Sequence, residues 1–230
     1  MNISNSEYEK PRSVFQLCEW INSKLRNLEQ ESAFEELYFE RRGQNIKNLL
    51  EEAVPIGRLG LYLWRPWRDV SVTCLAGNRP HDAEIILQDP QKTELIKIEV
   101  TTTETDETTM RRQALSREGF VWMTGPVRRE DRQIVSEATM VDLDKESARL
   151  VGCAISRFRK KAEREDDPQT AILVYVNSFR SLPFWYRMEL LEQTRTYLRT
   201  QRPTLYGAYY CYEADQGLDG LRNDIHDLVR

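Results

Sequence analysis

Three runs decide the fold: Val70-Ser71-Val72-Thr73-Cys74, then Asp82-Ala83-Glu84-Ile85-Ile86-Leu87-Gln88, then Leu95-Ile96-Lys97-Ile98-Glu99-Val100-Thr101. In the first, Val70, Val72 and Cys74 alternate with Ser71 and Thr73. In the second, Ala83, Ile85 and Leu87 alternate with Asp82, Glu84, Ile86 and Gln88. A period of two marks strands with one face buried. The third run is rich in β-branched residues. Gly77-Asn78-Arg79-Pro80 and Asp89-Pro90-Gln91 are turn clusters between the runs. Three short strands joined by tight turns predict an antiparallel meander.

Outward from this meander the texture is helical. Val14, Leu17, Cys18, Ile21, Leu25 and Leu28 recur at spacings of three and four, as do Ile46, Leu49, Leu50 and Ala53 before Pro55. Pro55 is expected to stop that helix, and Ile56 to Trp64 reads as a further short one. After the meander, helices are expected over Asp106–Ser116, Leu143–Glu163 and Leu190–Leu198. Phe120 to Asp131 reads as an irregular excursion. Ile172-Leu173-Val174-Tyr175-Val176 is continuously apolar, as in a strand buried on both faces. Gly207 to Tyr212 is a last strand. The order predicts an α/β fold with a mixed sheet. We expect one compact unit, with residues 1–45 as an N-terminal helical segment and residues 46–230 as the α/β domain.

The chain has 230 residues, with 33 Lys+Arg against 37 Asp+Glu, a net charge of −4. That excludes a globally basic nucleic-acid coat, so any contact with a polyanion must be local. Hydrophobic residues at 40% and charged residues at 30% are the proportions of a globular protein, neither disordered nor membranous. No apolar run is long enough to cross a membrane, and Met1 to Asn5 lacks a secretory pattern. Cys18, Cys74, Cys153 and Cys211 are scattered, with no CxxC pair, which fits reduced thiols in the cytoplasm. His81 and His226 are too few for a usual zinc site.

Alternation puts Lys97, Glu99 and Thr101 on one face of the third strand, away from Ile96, Ile98 and Val100. Asp82 and Glu84 share a face of the second. If the two strands pair, Asp82 and Glu99 converge at one end of the sheet. Two carboxylates so placed suit a hard cation such as Mg2+. The plainer reading is a half-solvated strand whose polar row has no chemistry.

Asp82, followed 17 residues later by Glu99 within Ile98-Glu99-Val100-Thr101, resembles the PD-(D/E)xK nuclease superfamily. Pro80-His81-Asp82 is similar to the family's Pro-Asp with one inserted residue. The resemblance covers roughly residues 45–177 and implies a restriction-endonuclease-like mixed sheet: helix, three antiparallel strands, helix, further strand. It also implies a nuclease hydrolysing phosphodiester bonds in DNA or RNA, with Asp82 and Glu99 holding Mg2+ or Mn2+. Glu84 and Glu52 are further ligand candidates. The second follows the family's habit of adding a carboxylate from the helix before the sheet. Glu51 and Glu52 both lie off that helix's apolar stripe, a position that reads as solvated. The chain departs from the family at Thr101, where the motif lysine should stand. Lys97, two residues before Glu99 on the same face, is the substitute expected near the attacking water, with Thr101 lining the site. The same departure supports an alternative, a degenerate module that binds nucleic acid or a protein partner without cutting.

Nucleic acid would be met by local arginines and lysines: Arg157, Lys160 and Lys161 in one cluster, Arg128 and Arg129 in another. Acidic compensation sits in residues 213–230. Cutting of a duplex would favour a homodimer. No GxSxG, GxGxxG or GxxxxGK[ST] occurs, and no histidine is evidently placed to activate Cys153, so serine or cysteine hydrolase chemistry and those nucleotide-binding loops are not expected.

Overall fold

The computed structural model describes residues 3–122, 125–131, 133–140, 142–176, 183–212 and 225–227. The acidic tail noted above lies mostly outside them. The meander is present: β2 (Asp69–Cys74), β3 (Ala83–Asp89) and β4 (Lys92–Thr102) pair antiparallel, with Val72 opposite Ile85 and Ile85 opposite Ile96. A two-residue strand, β1 (Arg12–Ser13), joins the outer edge of β2. On the other side β4 pairs parallel with β7 (Thr170–Val176), and β7 pairs parallel with β8 (Gly207–Tyr212). β9 (Ile225–Asp227) closes that edge antiparallel. The sheet is thus mixed, in the order β1-β2-β3-β4-β7-β8-β9.

Helices cover both faces. α1 (Asn5–Tyr8) leads into β1, and α2 (Val14–Glu29) starts at Ser13, whose hydroxyl accepts from the Gln16 N–H in a capping box. α2 and α5 (Val54–Leu63) pack on the face carrying Val70, Val72, Ile85, Ile96 and Ile98. They approach so closely that a Cβ on Gly60 would lie 2.6 Å from Val14 Cγ2. Residues 1–45 therefore add a strand and a helix to the same core as the rest of the chain. The opposite face is covered by α7 (Leu143–Ala162) and α8 (Phe184–Gln201), which bury Ile172, Val174, Ala208 and Tyr210. Every residue of β7 is buried, as its unbroken apolar run demands.

Two expectations are corrected. The helical stretch before the meander does not stop at Pro55. α3 (Phe34–Phe39) and α4 (Gln44–Asn48) are followed by a π turn over Leu49–Ala53, in which the Val54 N–H reaches back five residues to the Leu49 carbonyl. Pro55 follows directly in α5, on the C-terminal side of the wide turn. The wide turn absorbs the proline, and it changes which side chains face inward. Glu51 is buried and Glu52 half-buried, although a regular 3.6-residue pattern leaves both off the apolar stripe.

The second correction lies after α6 (Asp106–Glu118). Within the stretch Phe120 to Asp131, expected to be irregular, Val127–Glu130 forms a strand, β5, that pairs in a hairpin with β6 (Gln133–Ser136). The hairpin packs against α6 through Ala114, Val121, Val127 and Ile134. Its strands have four residues each, too few to display a period in the sequence. No helix among the described residues is long and apolar enough to cross a membrane.

Candidate active site

The site forms where β4 runs on past the start of β3. Asp82 precedes β3 by one residue and is still tied in as strand: its N–H donates to the Ile98 carbonyl at 2.8 Å, and its carbonyl accepts from the Leu75 N–H at 2.8 Å. Beyond it the ladder ends, and the next β4 donor lacks a backbone partner in β3. The Asp82 carboxylate supplies one. Oδ2 accepts from the Val100 N–H at 2.7 Å. Because Ala83 stands opposite Ile98, Asp82 falls beside Glu99, as strand parity predicts.

The electrostatics are those of crowded acids. Burial pushes the Asp82 carboxyl above its ordinary range; the Val100 N–H opposes this, the Glu99 charge adds to it, and Lys161 and His81 offset it. Glu52, presented by the π turn, is pushed up to about 8 by burial first and by the charge of Asp82 second. The Tyr8 hydroxyl donates to Glu52 Oε2 at 3.3 Å and relieves part of this. Glu51 is also raised, by burial and then by Glu104, with the Arg41 guanidinium 3.7 Å away. Glu104 in turn lies 3.4 Å from Arg112.

Glu99 has a partner that the sequence pattern did not supply. The Lys161 ammonium, from the last turn of α7, makes an ion pair with Glu99 Oε1. Lys97, the substitute expected beside Glu99, instead bonds Asp167 Oδ2 at 2.6 Å. Its electrostatic neighbours are Asp167, Glu84 and Glu165. Glu84 stands opposite Lys97 in the ladder and contacts His81 Nε2 at 3.3 Å. Thr101 shares the Glu99 face and is buried. So Asp82 and Glu99 stand side by side at the end of the sheet, Glu52 lies within reach of the Asp82 charge, and Thr101 follows Glu99 on the same face. Lys97 and Glu84 lie one pleat further along, in a separate ion-pair group. No local signal could have found Lys161, 62 residues from Glu99 in the chain.

The expected nucleic-acid residues divide in the same way. Arg157 is exposed and donates to the Glu104 carbonyl at 3.3 Å, and Lys160 is exposed; with Lys161 they line α7 beside the end of β4. Arg128 and Arg129 lie on the separate hairpin. Arg128 is paired with both Glu130 and Glu137, and Arg129 donates to Gln113 at 3.0 Å.

The donor set fits a hard divalent cation. It consists of the carboxylate oxygens of Asp82 and Glu99, hard donors of the type such a cation takes, with Asp82 raised by burial and by the charge of Glu99. Among the described residues no group of three or more His, Cys, Asp or Glu side chains lies in ligating geometry. No family model, no curated protein and no solved structure matches the chain.

Proposed function

We propose that the chain is a divalent-cation-dependent nuclease with a restriction-endonuclease-like sheet, hydrolysing phosphodiester bonds in DNA or RNA in the cytoplasm. The observation that carries the reading is the Asp82 carboxylate at the divergence of β3 and β4, beside Glu99, with its charge felt by Glu52. Asp82 and Glu99 would hold Mg2+ or Mn2+, with Glu52 next to them. When bound, such a cation acidifies a water and stabilises charge on a phosphoryl oxygen. The rest is the work of the chain itself. Val100 N–H fixes the Asp82 carboxylate. Lys161 brings to Glu99 the amine that the family motif carries two residues after its acid, and it would hold a phosphate oxygen or the attacking water there. Thr101 lines the wall, and Arg157 and Lys160 extend the positive edge along which a phosphate backbone would lie. Glu84 and Lys97 are left as a structural pair with His81 and Asp167. A homodimer would place two such sites on a duplex.

A second reading, a module that binds nucleic acid without cutting, is favoured by two features: Lys161 already neutralises Glu99, and Thr101 stands in the place of the motif lysine. One experiment separates the two. The purified chain is incubated with plasmid, linear DNA and RNA, in Mg2+, Mn2+ or chelator. Cleavage that needs the cation and is lost in Asp82→Asn supports the nuclease. Binding with no cleavage under any condition moves the function to the second reading, and neither binding nor cleavage overturns both.

A further inference from the structure

The Lys161–Glu99 pair has an asymmetry. Glu99 is fixed on a central strand between β3 and β7, and its side chain is 18% exposed. Lys161 reaches it from the rim of α7 on a flexible four-carbon stem, and its side chain is 33% exposed. Along α7, Arg157 lies one turn before Lys161, and Lys160 is its neighbour. Both are exposed, and Lys160 has no ion pair among the described residues. A phosphate drawn to this row meets Lys161 as the cation nearest the acid pair. Lys161 has somewhere else to go; Glu99 does not.

From this we infer that Lys161 is a charge placeholder that makes nucleic acid and the divalent cation bind cooperatively, nucleic acid first. The inference rests on the nuclease reading above and gives that site its order of assembly. In the free protein the ammonium occupies the negative charge of Glu99, so a divalent cation must displace it and binds weakly. When a phosphate backbone settles on the α7 row, the ammonium gains a second anionic partner and swings outward. Glu99 is then free to join Asp82 around the cation, and the same phosphate offers a further oxygen ligand. Lysine and cation thus exclude one another on Glu99, and the phosphate removes the exclusion. Because coupling is reciprocal, the cation must tighten nucleic acid by the same factor.

The test reads binding, not turnover. Free Mn2+ is titrated by electron paramagnetic resonance against the intact chain, alone and with short phosphorothioate DNA and RNA strands, whose sulfur-substituted linkages resist hydrolysis. For the unaltered chain, a strand should tighten Mn2+ by about tenfold, within the usual range of coupling between sites. Lys161→Met should bind Mn2+ about tenfold tighter without any strand, and the strand should then add little. Lys161→Arg, which keeps the charge and guards against a folding artefact, should retain the coupling. Lys97→Met removes a lysine held by Asp167 and should behave as the unaltered chain does. Equal Mn2+ affinity with and without strand in the unaltered chain, or full coupling in Lys161→Met, would overturn the inference while leaving the metal site in place. If neither the unaltered chain nor Lys161→Met takes up Mn2+ under any condition, the metal-dependent nuclease reading itself fails, and the inference with it.

Discussion

The two ends of β4 both carry charged residues, yet they are opposite in character. At the Lys92–Lys97 end every charge has a partner of the other sign. Lys92 pairs with Glu94, and Lys97 with Asp167. The shifts there all favour the ionised forms: Glu94 and Asp167 are lowered by their lysine partners, and Lys97 is raised by Asp167. At the Glu99–Thr102 end the neighbouring carboxyls are pushed the other way, Asp82 by burial and by the charge of Glu99, Glu52 by burial and by the charge of Asp82. Ion pairs that ease ionisation are satisfied without any further partner. Carboxyls held against their own ionisation are what distinguishes the second end, and the proposed site is placed there for that reason.

The comparison is most easily broken by activity. Asp82→Asn keeps an acceptor for the Val100 N–H while removing the charge, and Glu99→Gln does the same for its position. Each should lower cation-dependent cleavage by about a hundredfold or more, as loss of a group stabilising transition-state charge does. Gel assays on plasmid and RNA measure it. If both variants keep full activity, the two ends of β4 do not differ in function.

The positive edge gives the next largest effect. Arg157→Glu or Lys160→Glu should weaken nucleic-acid binding and flatten its salt dependence, each neutralised phosphate contributing a log–log slope of about −0.9. Arg128→Glu should leave the slope nearly unchanged, because Glu130 and Glu137 already hold that guanidinium. Fluorescence anisotropy across a salt series decides between them. A larger effect at Arg128 would move the interface to the hairpin.

Stability against pH sharpens the contrast further. A carboxyl raised on folding binds its proton more tightly in the folded than in the unfolded chain. Its contribution is therefore fully present below the unfolded value near 4.5 and is lost as pH rises toward the folded value of about 8 for Glu52. Without divalent cation the chain should lose about 3 kcal/mol between pH 5 and pH 8, a fall in melting temperature of about 6–12 °C. Glu52→Gln should flatten that decline, and Mg2+ should restore the melting temperature at pH 8. Calorimetry that shows rising stability over this range would remove the strain argument. At the other end of β4, Lys97→Ala should be the smallest change of all. It breaks a solvent-screened ion pair and should leave both the melting temperature and cleavage unaltered within error.

Much of this was legible in the order of residues. The meander, its register and the convergence of Asp82 with Glu99 follow from a period of two and two turn clusters, because pairing places side chains on faces by parity alone. The buried strand Thr170–Val176 and the stripe of α7 were equally plain, since solvent sorts side chains locally. Two lysines show where such reasoning stops. Parity could say that Lys97 shares the Glu99 face. It could not say that Asp167, 70 residues away, would draw its ammonium to the other end. Nor could it say that α7 would cross β4 at the one place where Lys161 meets Glu99. Glu52 is the third such case. A regular helix turns it to water, and the π turn before Pro55 turns it to Asp82. The sequence alone determined the strands and the facing of the acid pair, because alternation is a property of neighbours. Which lysine and which third carboxyl join that pair was decided by tertiary structure, because it depends on where separate elements cross and on how one helix turn absorbs a proline.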